Sequence, residues 1–434
     1  MQRHRLASLL LLLAYAPVLA YIPAASGLEL DTRLKAVGNW LNADPRDSVA
    51  RFSVDPAYGL NVDARFTLSH AFESADPDKT SPWRWELAGE LTALQGDVIE
   101  NGALFSGQSS GETTQLINDS TRIVNLTTNI SNGSRHAANA RLDRAQLVWQ
   151  RDKWRVQAGR QALSLGNGLV FNPKDIFSPF SPTATDRDFK NGEDALLVTR
   201  LADSGAELEA IFVGRSEPGD KSLTGDQSSF GLRYRATAQA FEYELVGARH
   251  FDATVAMASL SGPIGGAVWR VDWVGSWEAS NFTQSFVANI DFGFSFRDQA
   301  GYAFAEFYHN GYGTNSAAET ISELDADALE RLGRGELFVL ERNYLALGTS
   351  LGLTPLLNLT TSALVSLNDG APLIQSALNY TAGNNLTLEA GGIFPLGGAG
   401  DEFGGVILQN APNAADRILT ATSSQLYLRA VWFL

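Results

Sequence analysis

The sequence predicts an all-β fold: a transmembrane antiparallel β-barrel of about eighteen strands, with sixteen as the fallback. Three observations carry this. Short runs alternate polar and apolar residues with a period of two; the connections between them alternate in length, with every very long one on the same side; and aromatic residues gather where runs begin and end.

The runs come in order along the chain. Between residues 28 and 40, Leu28, Leu30 and Leu34 interleave with Glu29, Asp31, Arg33 and Lys35; between 60 and 72, Leu60, Val62, Ala64, Phe66 and Leu68 alternate with Asn61, Asp63, Arg65, Thr67 and Ser69. One face is apolar and the other wet. Similar runs follow at 83–96, 140–150, 154–165, 194–203, 205–215, 228–237, 240–250, 253–262, 266–279, 284–297, 300–310, 340–354, 357–369, 372–382, 385–396 and 423–434.

If the first strand rises from the periplasm, the outer connections include 97–139, 166–193, 216–227, 311–339 and 397–422, and the inner ones 151–153, 203–205, 238–239, 297–301 and Pro355. Long loops on one side and short turns on the other are the layout of a bacterial transmembrane barrel. A soluble sandwich has no reason to sort its loops this way. Trp83, Trp85, Trp149, Trp154, Phe241 and Tyr243 mark one rim, and Trp40, Trp277 and Tyr308 approach the other. The segment 344–367 is free of charge and long enough for a membrane helix, but Gly348, Gly352 and Pro355 interrupt it and its leucines keep period two, so it reads as a hairpin. Its lumen face (Ala346, Gly348, Ser350, Gly352, Asn358, Thr360, Ser362) is small and polar. Ser322 and Asp325, spaced as a capping box, predict a short helix over 322–333 in an outer loop.

At the N-terminus, Arg3, His4 and Arg5 precede a short apolar stretch and the small residues Val18 and Ala20, so residues 1–20 read as a secretory signal peptide, a cut near Ala25 also fitting, and 21–434 as a single barrel domain. Cysteine is absent, which excludes disulfide frameworks, zinc clusters and thiol catalysis. Loss of Arg3 and Arg5 takes the formal charge from −15 to −17, unsuited to phosphate backbones, so no nucleic-acid partner is expected. None of the five histidines stands in a metal-ligand or nucleophile spacing. No metal, cofactor or catalytic site is predicted. The first strand begins soon after the expected cleavage point, which leaves no room for the plug of an energised receptor.

The polar faces of the runs carry Arg33, Lys35, Arg65, Arg84, Arg155, Arg233, Arg235 and Arg270 with Asp63, Glu86, Glu90, Glu207, Glu209, Glu242, Glu244, Asp272 and Asp291. Hydrocarbon would not tolerate them, so they predict a polar lumen lined by a charge ladder. For the hairpin around Ala238 and Gln239, a symmetric turn sets Arg235 opposite Glu242, Arg233 opposite Glu244 and Tyr234 opposite Tyr243.

The most distinctive stretch contains Gly159, Arg160 and Gln161, then Gly166, Asn167 and Gly168, then Phe171, Asn172, Pro173, Lys174, Asp175, Ile176, Phe177, Ser178, Pro179, Phe180, Ser181 and Pro182, and continues through Asp186, Arg187, Lys190 and Asp194. It resembles the third-loop region of alginate-export-like and related outer-membrane porins, over roughly residues 159–194. The resemblance implies an eighteen-stranded barrel in a Gram-negative outer membrane, with an inward-folded loop narrowing the pore. Physically, the prolines stiffen the loop, and Phe171, Phe177 and Phe180 are costly to leave in water. Expected constriction residues are therefore Arg160, Phe171, Asn172, Lys174, Asp175, Phe177, Phe180, Asp186, Arg187 and Lys190. The C-terminal run ends in Trp432, Phe433 and Leu434 and resembles the assembly signal of such barrels. The expected partners are outer-membrane lipid and lipopolysaccharide, the barrel-assembly machinery and a small solute. The leading expectation is a passive channel for small polar or charged solutes; the alternatives are a scaffold or sheath for a partner protein and an exporter of an anionic polysaccharide.

Overall fold

The structure is a computed structural model that describes residues 28–42, 57–72, 81–97, 119–133, 135–184, 188–218, 220–278, 281–315, 324–409, 418–420 and 424–434. The expected signal peptide lies outside these residues. The strands are β1 (Leu28–Asn42), β2 (Ala57–Ala71), β3 (Trp83–Gly96), β4 (Thr127–Gly133), β5 (His136–Arg151), β6 (Trp154–Gln161), β7 (Glu193–Leu201), β8 (Glu207–Val213), β9 (Ser229–Ala238), β10 (Phe241–His250), β11 (Ala253–Ile264), β12 (Ala267–Glu278), β13 (Asn281–Phe296), β14 (Gln299–His309), β15 (Asn343–Thr354), β16 (Leu357–Ser366), β17 (Pro372–Thr381), β18 (Leu386–Pro395), β19 (Val406–Gln409), β20 (Ile418–Thr420) and β21 (Ser424–Phe433).

The main sheet has 19 strands, of which 18 form a closed antiparallel barrel. Closure comes from the last strand: β21 pairs with β18 on one edge and with β1 on the other, from Arg33 opposite Phe433 to Asn42 opposite Ser424. The amide of Leu434 donates to the carbonyl of Thr32 at 2.9 Å, so the ladder runs to the final residue. A closed barrel leaves no edge with unpaired backbone groups, which hydrocarbon requires.

Both expected faces are present. Leu60, Leu87, Leu147, Leu196, Leu245 and Leu428 stand exposed on the outer surface, whereas Arg33, Lys35, Asp63 and Arg65 on neighbouring strands are buried inside. Moving such a charge to the lipid face would cost roughly 2–4 kcal/mol for a mid-depth Arg or Lys, so the alternation selects one register for each strand. Aromatics pair in tilted contacts at the two rims, Trp83 with Trp149 at 6.4 Å and Phe241 with Trp269 at 6.2 Å at one, Trp277 with Phe282 at 4.8 Å at the other. Tyr308 departs from the expected girdle. It shares the inward face with Glu306 and is buried in the lumen.

The long connections all open on one end of the barrel, as predicted. Several boundaries move. The run expected over 154–165 stops at Gln161, and three strands not anticipated lie in the outer loops: β4, which pairs with the upper half of β5, and the hairpin of β19 and β20. The outer-loop helix α1 spans Ala326–Arg334 and starts later than expected, with Asp325 as N-cap making no side-chain cap bond and Gly335 in the left-handed conformation closing it. Ser322, the other half of the expected capping box, lies outside the described residues.

The β9–β10 hairpin corrects the predicted register. The two-residue turn is Gln239 and Ala240, with Gln239 at φ 57°, so Ala238 faces Phe241 and Arg235 sits directly opposite Glu244. This moves the partner by two positions and keeps every side chain on its face. The expected charge partners still meet, diagonally: Arg235 to Glu242 and Arg233 to Glu244, each at 3.8 Å. Tyr234 and Tyr243 remain neighbours on the lipid side at 6.1 Å between rings.

The chain has no cysteine, so single thiols report sidedness cleanly. Ser120→Cys in the outer connection is expected to react with a membrane-impermeant maleimide on intact cells, and Asp203→Cys in a short turn only after the outer membrane is opened. The reverse pattern would contradict the orientation.

Candidate functional site

The candidate site begins where the wall opens. After Gln161 the chain leaves β6 and the next wall strand starts at Glu193, so the described residues between them, 162–184 and 188–192, have no place in the sheet. The side chain of Gln161, fully buried, donates to the carbonyl of Ala195 at 3.0 Å and seals the exit. Above β6, β4 occupies the vacant edge of β5, from Thr127 opposite Arg141 to Gly133 opposite His136. Arg160 fastens this patch: its guanidinium donates to Asp119 at 2.9 Å, to Asp194 at 2.8 Å and to the carbonyl of Val124 at 2.6 Å. The register sets Arg160 opposite Ala145 and Asp194, next to Gly159 at φ 115°. Arg160 was expected with the constriction residues; the structure places it as a clamp on the outer loop instead.

The loop crosses the lumen to the far wall, where the inward faces of β12, β13 and β14 receive it. The backbone amides of Leu169, Val170 and Phe171 all donate to the carboxylate of Glu306, at 2.6, 3.0 and 2.7 Å. Asn289 donates to Glu306 and to the carbonyl of Asn167, each at 3.1 Å. Asp272 accepts the amide of Asn167 at 2.5 Å and its side chain at 3.2 Å. Phe171, 3% exposed, stacks on Tyr308 at 4.8 Å and lies 5.3 Å from Tyr344, which explains why Tyr308 turns inward. Of the three loop aromatics expected to need cover, Phe171 finds it here, beside the strand half a turn away that carries the small lumen residues.

The rest of the loop is held at other points of the wall. Lys174 is completely buried, 2.7 Å from Glu244 and bonded to Ser259. Asn172 turns back to the carbonyl of Leu165 at 2.9 Å. Asp175 pairs with Lys190, whose ammonium also reaches the carbonyl of Leu163 at 2.6 Å. Burial pushes the Asp175 carboxyl up to about 6, with Lys190 opposing. Phe177 meets the edge of His250 at 5.7 Å, and Ser178 donates to Glu193 at 2.8 Å, while Phe180 is exposed. On the near wall, the ring of Phe189 lies 4.6 Å from the Arg33 guanidinium and 4.3 Å from that of Arg65. Asp188 contacts Arg33, Lys35 and Arg429. Burial opposes its ionisation, but Lys35, Arg429 and Arg33 outweigh that and hold its carboxyl below the usual range. Asp186 and Arg187 lie outside the described residues.

The ladder residues pair along the wall: Arg33 with Asp63 at 3.1 Å, Arg65 with Asp143 at 3.0 Å, Arg235 with Glu207 at 2.7 Å, and Arg233 with Glu209 at 3.4 Å. Arg270 reaches Asn289 at 3.1 Å and also Asp291, while Arg84 is exposed, 4.0 Å from Glu86, and Arg155 is exposed. Sequence reasoning missed Glu306, Asn289 and Asp143. Glu306 shares its face with Phe304 and Tyr308, so that face was legible, but its partners are backbone amides more than 130 residues away.

A second layer closes over the loop from outside. Arg331 of α1 reaches Glu278 and lies 3.0 Å from Glu336, which is 3.0 Å from His250. Burial favours the neutral form of Glu336, but His250, Arg331 and Arg334 outweigh it and hold the carboxyl at about 2. Glu402 accepts the amides of Leu340 and Glu341 at 3.0 and 2.9 Å and the Tyr344 hydroxyl at 2.8 Å; burial raises it to about 7 against these donors.

No protein-family model matches the sequence, and no curated protein is similar to it. Solved structures are. Acinetobacter baumannii OccAB1 superposes with a TM-score of 0.55 at 10% identity, covering 95% of this chain and 98% of that one. This is the porin fold. Acinetobacter baumannii OccAB3 gives 0.51 at 10% identity over 94% and 99% of the two chains, and a BenF-like porin from Pseudomonas fluorescens Pf-5 gives 0.50 at 9% over 95% and 100%. At these identities the likeness speaks to fold alone. These matches do not single out the alginate-export-like porins; they support a related eighteen-stranded porin fold.

Within that fold, Glu306 is the anchor most open to test. Hydrogen bonds to a charged acceptor are each worth about 1.5–3 kcal/mol. Glu306→Gln keeps the size, removes the charge and offers donors to donors. Single-channel recordings are expected to show a noisier current with new, larger substates, in a barrel whose gel mobility still shifts on heating; a current as quiet as the wild type would show that the loop does not depend on Glu306.

Proposed function

We propose that the chain is an outer-membrane porin of a Gram-negative bacterium, a passive water-filled channel for small polar or charged solutes, narrowed by the inward loop. The observation that carries this reading is the seat of that loop. A segment held to the far wall by Glu306 and Asp272, to the side wall by Lys174, and to the near wall by Phe189 and Asp188 divides the lumen. The charged side chains left accessible beside it, Arg235, Glu207, Glu242 and Arg270 among them, are of both signs, which suits water and ions and orients polar solutes.

The other parts of the reading follow from the faces of the barrel. The apolar belt with its aromatic rims suits outer-membrane lipid, with lipopolysaccharide against the outer half. The C-terminal strand, ending in Trp432 and Phe433 and closing the barrel against β1, suits recognition by the barrel-assembly machinery. Residues 1–20 serve as the cleaved export signal. The likeness of 159–194 to alginate-export-like porins supports the inward loop; a lumen of mixed sign favours small solutes over a polyanion.

Deleting residues 170–183 removes Phe171 and Lys174 together. In planar bilayers the deleted form is expected to conduct more than the wild type and, in liposome swelling, to pass larger sugars, while its gel mobility still shifts on heating. Unchanged conductance would place the loop outside the path, and a folded wild-type barrel that conducts nothing would overturn the channel reading.

A further inference from the structure

Between the loop and the wall of β9 to β11 lies a polar cavity of about 100 Å³, lined by residues 164–167 of the loop together with Arg233, Arg235, Glu242, Glu244 and Ser259. Resting on the channel reading, we propose that this cavity is a recognition subsite for small zwitterions, solutes that carry an anionic and a cationic group a few ångströms apart.

The cavity is built and not incidental. Its roof is fixed from two sides: Asn167 is bound by Asp272 at 2.5 Å, and Lys174 is held by Glu244 at 2.7 Å and by Ser259. The loop therefore cannot settle onto the wall and fill the space. The floor carries two guanidinium–carboxylate pairs side by side, Arg235 with Glu242 and Arg233 with Glu244, each at 3.8 Å. That is an ion-pair distance too long for a hydrogen bond, so each charge keeps donor or acceptor capacity. The outer pair also faces water: the side chains of Arg235 and Glu242 are 41% and 52% exposed. Glu207 takes one guanidinium nitrogen of Arg235 at 2.7 Å and leaves the others for a solute.

The class of solute follows from Coulomb's law applied to this spacing. A lone anion in contact with Arg235 is also only a few ångströms from Glu242, so attraction and repulsion nearly cancel; a lone cation at Glu242 meets the same cancellation from Arg235. A solute with both charges, laid antiparallel to the pair, places its carboxylate on Arg235 and its ammonium on Glu242 and gains from both ends. The separation of charges in a short amino acid matches the 3.8 Å of the pair. The four charges that line the cavity sum to zero and form a dipole, with Glu207 and Glu209 on β8 bracing Arg235 and Arg233 from the side.

The test compares three solutes with the same three-carbon skeleton on the same channel. Reconstituted protein is recorded in planar bilayers at low, matched ionic strength, where exposed charges are least screened, with β-alanine, propionate or propylammonium added to one side. β-Alanine is expected to reduce the open-channel current about threefold more strongly than either single ion, because only it avoids the cancellation. In the charge-free variant Arg235→Gln with Glu242→Gln, that ratio is expected to fall to about one. Equal block by all three solutes, no block by any, or a zwitterion preference that survives in the variant would each overturn the subsite while leaving the channel reading intact. If the variant fails to fold, the three-solute comparison on the wild type still decides the question.

Discussion

Three successive amides converging on the Glu306 carboxylate are the interaction on which the interior depends. A chain segment inside a barrel has left the sheet, and its N–H groups need new acceptors, since a buried unpaired amide costs about 1–3 kcal/mol. Glu306 supplies one acceptor for Leu169, Val170 and Phe171 together, and those amides in turn satisfy a carboxylate that is almost wholly buried. Loop and wall each solve the other's problem. Phe171 then falls into register with Tyr308 and Tyr344, and the apolar contact adds to the polar one.

The same departure from the wall creates a second need outside. Where β6 ends at Gln161, its neighbour β5 runs on with an open edge, and an open edge invites pairing with other chains. The outer loop covers that edge with β4, and Arg160 locks the cover through Asp119, Val124 and Asp194. One turn of the chain into the lumen thus accounts for features on both faces. It also explains why a residue within the pore-loop stretch of the sequence serves to hold the outer cover.

The barrel was legible in the sequence because its determinants are local and repetitive. Period two along each strand, and the sorting of long loops to one side, survive errors of a few residues at each boundary. The β9–β10 hairpin shows the limit: Gln239 and Ala240 are weak turn residues, so the turn was placed one residue early, yet parity kept Arg233, Arg235, Glu242 and Glu244 on the lumen face. Tyr308 was misread because girdle and lumen aromatics have the same spacing at a strand end; only its parity with Glu306 separates them. Arg160 and Glu306 were beyond reach for a common reason. Their partners, Asp119 and the amides of 169–171, lie in loops whose paths no periodicity specifies. β4 was hidden likewise in the polar sequence of the outer loop, where Thr127, Thr128 and Asn129 carry no apolar alternation.

The central claim, that the loop sits across the lumen against the far wall, is tested most directly by a covalent bridge between the two. In a chain without cysteine, Asn167→Cys and Asp272→Cys create one thiol on the loop and one on β12, at side chains that hydrogen-bond at 3.2 Å. A short bifunctional thiosulfonate is expected to join them in the folded barrel and not in the urea-unfolded chain, giving a gel shift reversed by reductant. Two thiols that each react singly in the folded barrel, without bridging, would contradict the account.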